Sequence, residues 1–208
     1  MMLFTACENE SFFEFERPVQ SPWNTLSEFD RAAIGGYSGL FQSKALENPY
    51  TISSLYKNAE ADDVSWISAG DSWGYFRDTE NQKQFLPNVF VTSYKVICSV
   101  NDAFEFVEEN GGNPYPTISD DDKRNNLNRV IGELYFLRGY AYYLNATIFC
   151  NAYVPGGPND AKQIPLILKT AVNYTDAVNP KIGTVGEVWE QIQSDFENFY
   201  PSYAVGQS

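Results

Sequence analysis

The stretch Gly132-Glu133-Leu134-Tyr135-Phe136-Leu137-Arg138-Gly139-Tyr140-Ala141-Tyr142-Tyr143-Leu144 decides the fold of this chain. Apolar residues that recur every three or four positions lie on one face of an α-helix, and that face packs against neighbouring elements. The stretch therefore predicts a long, packed amphipathic helix. Its apolar stripe, at spacings of three and four, comprises Leu127, Val130, Ile131, Leu134, Leu137, Ala141, Leu144 and Ile148.

Capping residues predict where further helices begin and end. A side-chain acceptor before the first turn satisfies backbone N–H groups there, and glycine commonly follows the last turn. The predicted markers are Ser27 with Asp30 for a first helix, Gly111-Gly112 for the end of a helix over residues 88–109, Ser119 for the helix that contains residues 132–144, and Thr184 with Glu187 for a last helix. Residues 48–86 and 149–165 have the composition of irregular loops.

Composition restricts the class of protein. With 208 residues, 43% hydrophobic and 20% charged, the chain is globular and long enough for one domain or part of a larger one. A formal net charge of -13 repels phosphate backbones, so no nucleic acid partner is expected. Aromatic residues make up 16% of the chain, and those outside the core can form stacking surfaces for sugar rings.

The residue types present exclude several catalytic systems. Histidine is absent, which removes Ser-His-Asp and Cys-His nucleophiles and every His-ligated metal site. The three cysteines, Cys7, Cys98 and Cys150, have neither metal-ligand spacing nor the pattern of a disulfide framework. The acidic runs Asp62-Asp63 and Asp120-Asp121-Asp122 lack the spacing of a calcium loop, so helix capping and solvated charge explain them better. Neither a metal nor a cofactor is expected.

Five segments, in order along the chain, together resemble one known family. The signature stretch over 132–144 resembles the conserved helix of the RagB/SusD family, the outer-membrane nutrient-binding lipoproteins of Bacteroidetes. The other four segments are Glu28–Leu40, which resembles the family's first helix, Tyr94–Asn101, Ile164–Ile167 and Thr184–Phe196. The resemblance implies a mostly α fold of tetratricopeptide-like helical pairs with long irregular loops.

The N-terminus resembles a lipoprotein signal in part. Phe4-Thr5-Ala6-Cys7 looks like a bacterial lipobox, and the following Glu8-Asn9-Glu10 resembles a surface-export signal. The charged and apolar regions of a signal peptide are missing before it, so either the signal is truncated or Cys7 is an ordinary residue. We expect the first, with Cys7 as the lipidated residue. The predicted organisation is therefore a truncated signal and lipobox over 1–7, a tether over 8–26, and a helical domain over 27–208, shorter than the family's usual length and expected to be incomplete at its C-terminus.

The resemblance implies a binding protein with no catalytic step. Such a lipoprotein lies on the outer surface of the outer membrane, captures glycans or other nutrient oligomers, and delivers them to a TonB-dependent SusC-like transporter. In the family's starch-binding member, part of the glycan site comes from a loop in the region of residues 66–77, and the resemblance implies a similar placement here. The residues predicted to bind the ligand, by stacking or by hydrogen bonds to hydroxyl groups, are Trp66, Asp71, Trp73, Tyr75, Arg77 and Asn81.

Two other functions remain open at this stage. A helical-repeat scaffold would bind protein partners and no sugar, and buried indoles at Trp66 and Trp73 would favour it. A surface glycoside hydrolase would need two carboxyl groups held about 5–10 Å apart across a cleft. The sequence fixes no such pair, so the hydrolase is the weakest of the three hypotheses.

Overall fold

The computed structural model describes residues 23–42, 49–60, 86–171 and 173–204. Within these ranges the fold is mostly α-helical, which confirms the predicted class. In chain order the elements are α1 (Leu26–Tyr37), a π-helical turn (Ser38–Gln42), α2 (Pro49–Glu60), α3 (Leu86–Glu109), α4 (Asp120–Asp122), a second π-helical turn (Lys123–Leu127), α5 (Asn128–Phe149), β1 (Lys162–Pro165), α6 (Tyr174–Val178), β2 (Ile182–Thr184) and α7 (Val185–Ala204).

Helix α1 begins earlier than the Ser27–Asp30 pair predicts. Thr25 is the N-cap, because its Oγ1 accepts the backbone N–H of Glu28 at 3.2 Å. The Glu28 carboxylate in turn accepts the backbone N–H of Thr25 at 3.2 Å. The predicted cap is wrong because this reciprocal pair satisfies two backbone donors and brings Leu26 into the helix. Asp30 is engaged elsewhere and accepts a hydrogen bond from the Arg129 guanidinium at 2.7 Å.

Helix α3 ends where the double glycine predicts. Gly111 and Gly112 have φ values of 64° and 81°, in the left-handed region that glycine adopts without steric cost. The N–H of Gly112 donates to the carbonyl of Val107 at 2.9 Å, and that of Gly111 donates to the carbonyl of Glu108 at 3.0 Å. These bonds satisfy two carbonyls of the last helical turn, so the glycines stop the helix.

The signature segment forms the central helix. Ser119 caps its first turn as predicted, with Oγ accepting the backbone N–H of Asp122 at 3.0 Å. The helical path then continues through the second π-helical turn into α5, which packs against α1, α3 and α7. The predicted stripe faces the core, and five of its members are fully buried: Leu127, Val130, Leu134, Leu137 and Ala141.

Helix α7 begins at the predicted capping box and packs closely on α5. Glu187 donates its backbone N–H to Thr184 Oγ1 at 3.1 Å, and its carboxylate accepts the backbone N–H of Thr184 at 2.9 Å. Gly139 of α5 permits the close approach of the two helices. A Cβ at this position would lie 3.0 Å from the Cβ of Asp195 on α7.

A short antiparallel sheet was not predicted from the sequence. Strands β1 and β2 pair with Ile164 opposite Gly183 and Pro165 opposite Ile182, and an irregularity in register follows Lys162. The pairing brings the start of α7 against the segment after α5. Since each strand has only three or four residues, neither carries an alternating pattern long enough to be recognised.

The described residues contain neither a membrane-spanning helix nor a cluster of metal ligands. None of the helices in these ranges has the length and apolar character needed to cross a membrane. In the same ranges, no three acidic, cysteine or histidine side chains are grouped to hold a metal ion. Cys98 and Cys150 are free, half-buried thiols, and burial raises the pKa of each.

Candidate functional site

The ligand-binding residues predicted from the sequence, and the predicted lipidation site Cys7, all lie outside the described residues. The structure therefore leaves these predictions as they stand. The ligand-binding set comprises Trp66, Asp71, Trp73, Tyr75, Arg77 and Asn81.

A groove between α5 and α7 has the chemistry of a ligand site. Its volume is about 520 Å³. We call it the aromatic groove, and its lining residues are Tyr143, Tyr153, Trp189, Glu190, Ile192, Gln193, Phe196 and Glu197. Small-molecule sites are typically concave and largely apolar with a few polar groups that fix orientation, and this lining fits that description.

Helical spacing explains one wall of the aromatic groove. Trp189, Gln193 and Phe196 are separated by four and three residues on α7, so their side chains lie on one face of the helix. Tyr143 comes from the last turns of α5, and Tyr153 comes from the loop that follows. The groove is therefore assembled where one helix and its following loop meet a later helix.

The aromatic rings of the groove are in mutual contact. The indole of Trp189 lies edge to face with Tyr143, at a centroid distance of 6.1 Å and an interplanar angle of 84°. Tyr153 lies 6.0 Å from the same indole and is 43% exposed. A row of stacked rings continues along α5 through Tyr140 and Phe136, with interplanar angles of 27° and 12°. Tyr153 thus offers an accessible ring beside a continuous surface of packed aromatic rings.

Polar groups border the aromatic groove on α7. Gln193 Nε2 donates to Glu197 Oε1 at 2.7 Å, which holds an amide and a carboxylate side by side. Glu190 is exposed one turn away. Carboxylate and amide oxygens accept hydrogen bonds from hydroxyl groups, while the neighbouring rings offer apolar faces. This arrangement can bind a molecule that has both hydroxyl groups and apolar C–H faces.

A buried polar network holds α7 in position behind the groove. Arg138 Nε and Nη2 donate to the two carboxylate oxygens of Asp195 at 3.0 and 2.7 Å. Arg138 Nη1 donates to Asn101 Oδ1 at 3.0 Å, and Asn101 Nδ2 donates to the carbonyl of Ile167 at 2.9 Å. Burial raises the pKa of the Asp195 carboxyl, and the hydrogen bonds from Arg138 oppose that shift. The network joins α3, α5 and α7 and so fixes the wall that carries Trp189.

Sequence reasoning identified only part of this groove. The apolar face of α7, with Phe196 on it, follows from helical periodicity. Tyr143 is in the signature stretch, but nothing in the sequence pairs it with a residue 46 positions later. Tyr153 is in a segment predicted to be a loop, where periodicity gives no information about side-chain direction. The meeting of these three elements could be recognised only from the structure.

Two solved structures share the fold of this chain. The first is a SusD superfamily protein from Bacteroides thetaiotaomicron VPI-5482, with a TM-score of 0.61 and 20% identity over 86% of this chain and 37% of the other. The second is a SusD-like carbohydrate binding protein from Bacteroides fragilis NCTC 9343, with a TM-score of 0.53 and 15% identity over 86% of this chain and 32% of the other. The present chain thus spans about a third of the length of these two proteins.

Sequence comparison gives a family assignment. No curated protein matches the chain significantly. A SusD-like family model, described as starch-binding and associating with the outer membrane, matches residues 21–199. The match covers most of the chain and includes the signature helix, the β1 segment and the capped start of α7. The chain therefore belongs to the SusD-like family.

Proposed function

We propose that this chain is the N-terminal helical part of a surface lipoprotein that binds glycans or other nutrient oligomers at the outer membrane. It passes them to a TonB-dependent SusC-like transporter and catalyses no reaction. In this proposal residues 1–7 are the end of a lipoprotein signal, 8–26 a tether, and 27–208 the SusD-like helical domain. The family match over residues 21–199 supports the position of the domain.

The observation that carries the glycan-binding proposal is the aromatic groove within a SusD-like fold. The family's description names starch, and one structural relative is named as a carbohydrate binding protein. Tyr153 and Trp189 provide ring faces, and Gln193 with Glu197 provides hydrogen-bonding groups. The C–H faces of a sugar ring would pack on the tyrosine while its hydroxyl groups bind the polar edge.

The loop residues predicted from the sequence are a second, independent part of this proposal. Trp66, Trp73 and Tyr75 would stack on sugar rings, and Asp71, Arg77 and Asn81 would bind hydroxyl groups. The resemblance to the family's glycan-binding loop supports this assignment. Because each contact is weak, affinities on the order of µM to mM are expected for one oligosaccharide.

Binding of the full-length gene product to a polysaccharide panel tests the proposal. Affinity gels and calorimetry would compare the unaltered protein with Tyr153→Ala, Trp66→Ala and Trp73→Ala. Tyr174→Ala is the matched control, since Tyr174 is 68% exposed and lies outside the aromatic groove. Trp189→Phe is a milder test of the groove, because it keeps an aromatic ring in the packing position and removes the indole.

The outcomes separate the two parts of the site. Loss of binding in Tyr153→Ala and Trp189→Phe, with Tyr174→Ala unchanged, supports the aromatic groove. Loss only in the Trp66 and Trp73 variants assigns binding to the loop and removes the groove from the proposal. If the full-length protein binds no glycan or other nutrient oligomer, the proposed function is wrong.

Lipid attachment at Cys7 and partnership with the transporter are tested separately. Growth of the native bacterium with labelled palmitate should label the natural gene product, and Cys7→Ser should abolish the label. Cys98→Ser and Cys150→Ser are the controls and should retain it. A SusC-like transporter should copurify with the detergent-extracted protein, and its absence from such preparations would contradict the partnership.

A protein-interaction scaffold is the second candidate, and one observation favours it. Trp189, Ile192 and Phe196 recur at the spacing of a helix face that packs on another helix. In that case the groove would take an apolar helix of a protein partner instead of a sugar. The scaffold is favoured for this surface by two results together. Every groove variant should bind glycans as the unaltered protein does, and Trp189→Phe should lose a protein partner.

A further inference from the structure

A second groove, between α1 and α3, differs in chemistry from the aromatic groove. Its volume is about 350 Å³, and we call it the basic groove. Residues of α1 and the following π-helical turn form one side, and residues of α3 form the other. The lining residues are Trp23, Arg31, Ala32, Gly35, Gly36, Gly39, Thr92, Lys95, Val96, Ser99 and Asp102.

Packing explains two of the three glycines in the basic groove but not the third. A Cβ at Gly36 would lie 2.7 Å from Leu137 Cδ1, and one at Gly39 would lie 2.8 Å from Val96 Cγ2. A Cβ at Gly35 would meet nothing within 4 Å. Glycine inside a helix costs about 1 kcal/mol relative to alanine. No described residue requires the glycine at 35, and its absent side chain leaves the groove open to the helix backbone.

The charged groups of the basic groove are mostly positive, although the chain as a whole has a net negative charge. Arg31 and Lys95 both line it, and neither forms an ion pair with a described residue. The whole chain has a net charge of -13, so this groove differs in sign from the average surface. Asp102 is the acidic group of the lining, and its carboxylate accepts a hydrogen bond from the Thr170 hydroxyl.

Helical spacing places the polar groups along the groove. Thr92, Lys95, Ser99 and Asp102 are separated by three, four and three residues, so they lie on one face of α3. Arg31 and Gly35 are four residues apart on the facing side of α1. The groove therefore offers a guanidinium, an ammonium, two hydroxyl groups and the Asp102 carboxylate beside the open position at Gly35.

We propose that the basic groove binds the acidic group of an anionic glycan, a carboxylate or a sulfate ester on a sugar ring. This inference rests on the proposed glycan-binding function and specifies the class of glycan. Arg31 would bind the anion with its planar donor fork and Lys95 would add a second positive charge. Thr92 and Ser99 would bind neighbouring hydroxyl groups, and the ring would lie over Gly35.

Pairs of polymers that share a backbone, one acidic and one neutral, test the inference. Calorimetry would compare the full-length gene product with polygalacturonate and with its fully methyl-esterified form, which is uncharged. Dextran sulfate and dextran form the corresponding pair for a sulfate ester. We expect the protein to bind at least one acidic polymer about tenfold more tightly than its neutral partner.

Substitutions in the groove assign the preference to named residues. Arg31→Gln and Lys95→Gln should each weaken binding of the acidic polymer by about tenfold and leave the neutral one unchanged. Lys162→Gln, which removes an exposed cation outside the groove, is the matched control. Gly35→Phe should fill the groove and abolish the preference, while Gly35→Ala tests whether the backbone tolerates a side chain there.

Failure of this inference and failure of the proposed function give different results. If the protein binds neutral and acidic polymers with equal affinity, the inference is overturned and the proposed glycan binding stands. A preference for acidic polymers that Arg31→Gln and Lys95→Gln do not change overturns the assignment to this groove. If the protein binds neither these four polymers nor any glycan of the wider panel, both proposals are overturned.

Discussion

Arg138 and Asp195 form a bidentate ion pair in the interior, across 57 residues of sequence. The two donor–acceptor distances are 3.0 and 2.7 Å, and the side chains are 10% and 1% exposed. The guanidinium also lies over the ring of Phe104, 4.6 Å from its centroid. Each charge is thus compensated by its partner in a region with little water, and α5 is held to α7 in one register.

Removing one member of this pair should strongly destabilise the fold. Asp195→Asn leaves the Arg138 charge buried without its counter-ion, and we expect a loss of about 3–5 kcal/mol in the free energy of unfolding. Urea denaturation monitored by circular dichroism measures this free energy. Lys169→Gln is the control, because its pair with Glu108 is exposed and spans 3.9 Å, and it should change stability by less than about 1 kcal/mol.

Replacing both partners should be less damaging than replacing one. The double variant Arg138→Met/Asp195→Leu removes both charges and keeps an apolar fill, so it should recover most of the stability lost in Asp195→Asn. If the single and double variants are equally unstable, the cost arises from packing and not from the uncompensated charge.

Two adjacent glycines in α1 should differ in their response to alanine. Both substitutions gain the same helix propensity, so their difference isolates the effect of the added methyl group. Gly35→Ala meets open space and should stabilise the protein by up to about 1 kcal/mol. Gly36→Ala pushes against the buried Leu137 and should be less stable than Gly35→Ala by about 1–3 kcal/mol. Equal unfolding midpoints in urea would show that Leu137 moves aside without cost.

The local part of the fold could be predicted from the sequence because its causes are local. The box at Thr184 and Glu187 and the stop at Gly111-Gly112 involve residues a few positions apart, and both predictions are confirmed. The start of α1 was mispredicted although a local signal was present. Thr25–Glu28 and Ser27–Asp30 have the same spacing, but only the first pair has the glutamate of the standard capping box, and the structure forms that box. The contact of Asp30 with Arg129, which spans 99 residues, has no such local signal.

The site was less predictable than the fold for the same reason. The partner of Arg138 is on another helix, and the aromatic groove joins Tyr143, Tyr153 and Trp189 from three parts of the chain. Periodicity gives the buried face of each helix but not which faces meet. Trp66 and Trp73 stood out by composition, and they lie outside the described residues.

The hydroxyl of Tyr142 should contribute measurably to stability. It donates to the carbonyl of Ile167 and accepts the N–H of the same residue, each at 2.8 Å, in a fully buried position. Tyr142→Phe leaves that N–H without its partner and should cost about 1–3 kcal/mol. Faster exchange of the Ile167 amide by NMR would accompany the loss. Tyr135→Phe is the control, and an effect as large as that of Tyr142→Phe would contradict the assignment to these bonds.

The capping carboxylate of α7 should give stability that depends on pH. The hydrogen bond from Lys181 at 2.7 Å, together with that from the Thr184 backbone, lowers the pKa of Glu187 from 4.5 to about 2. Because the unfolded chain takes up the proton first, the stabilisation is present above pH 4.5 and is lost as the pH falls towards 2. Glu187→Gln should therefore lower stability at neutral pH and have a smaller effect near pH 2.

Urea denaturation at several pH values between 7 and 2 checks this dependence. Glu190→Gln removes an exposed charge from the same helix and controls for the change in net charge. The difference in unfolding free energy between the unaltered protein and Glu187→Gln should shrink across the acidic range, whereas that for Glu190→Gln should not follow the same course. A difference for Glu187→Gln that is constant from neutral to acidic pH would mean that its ionised form does not cap α7.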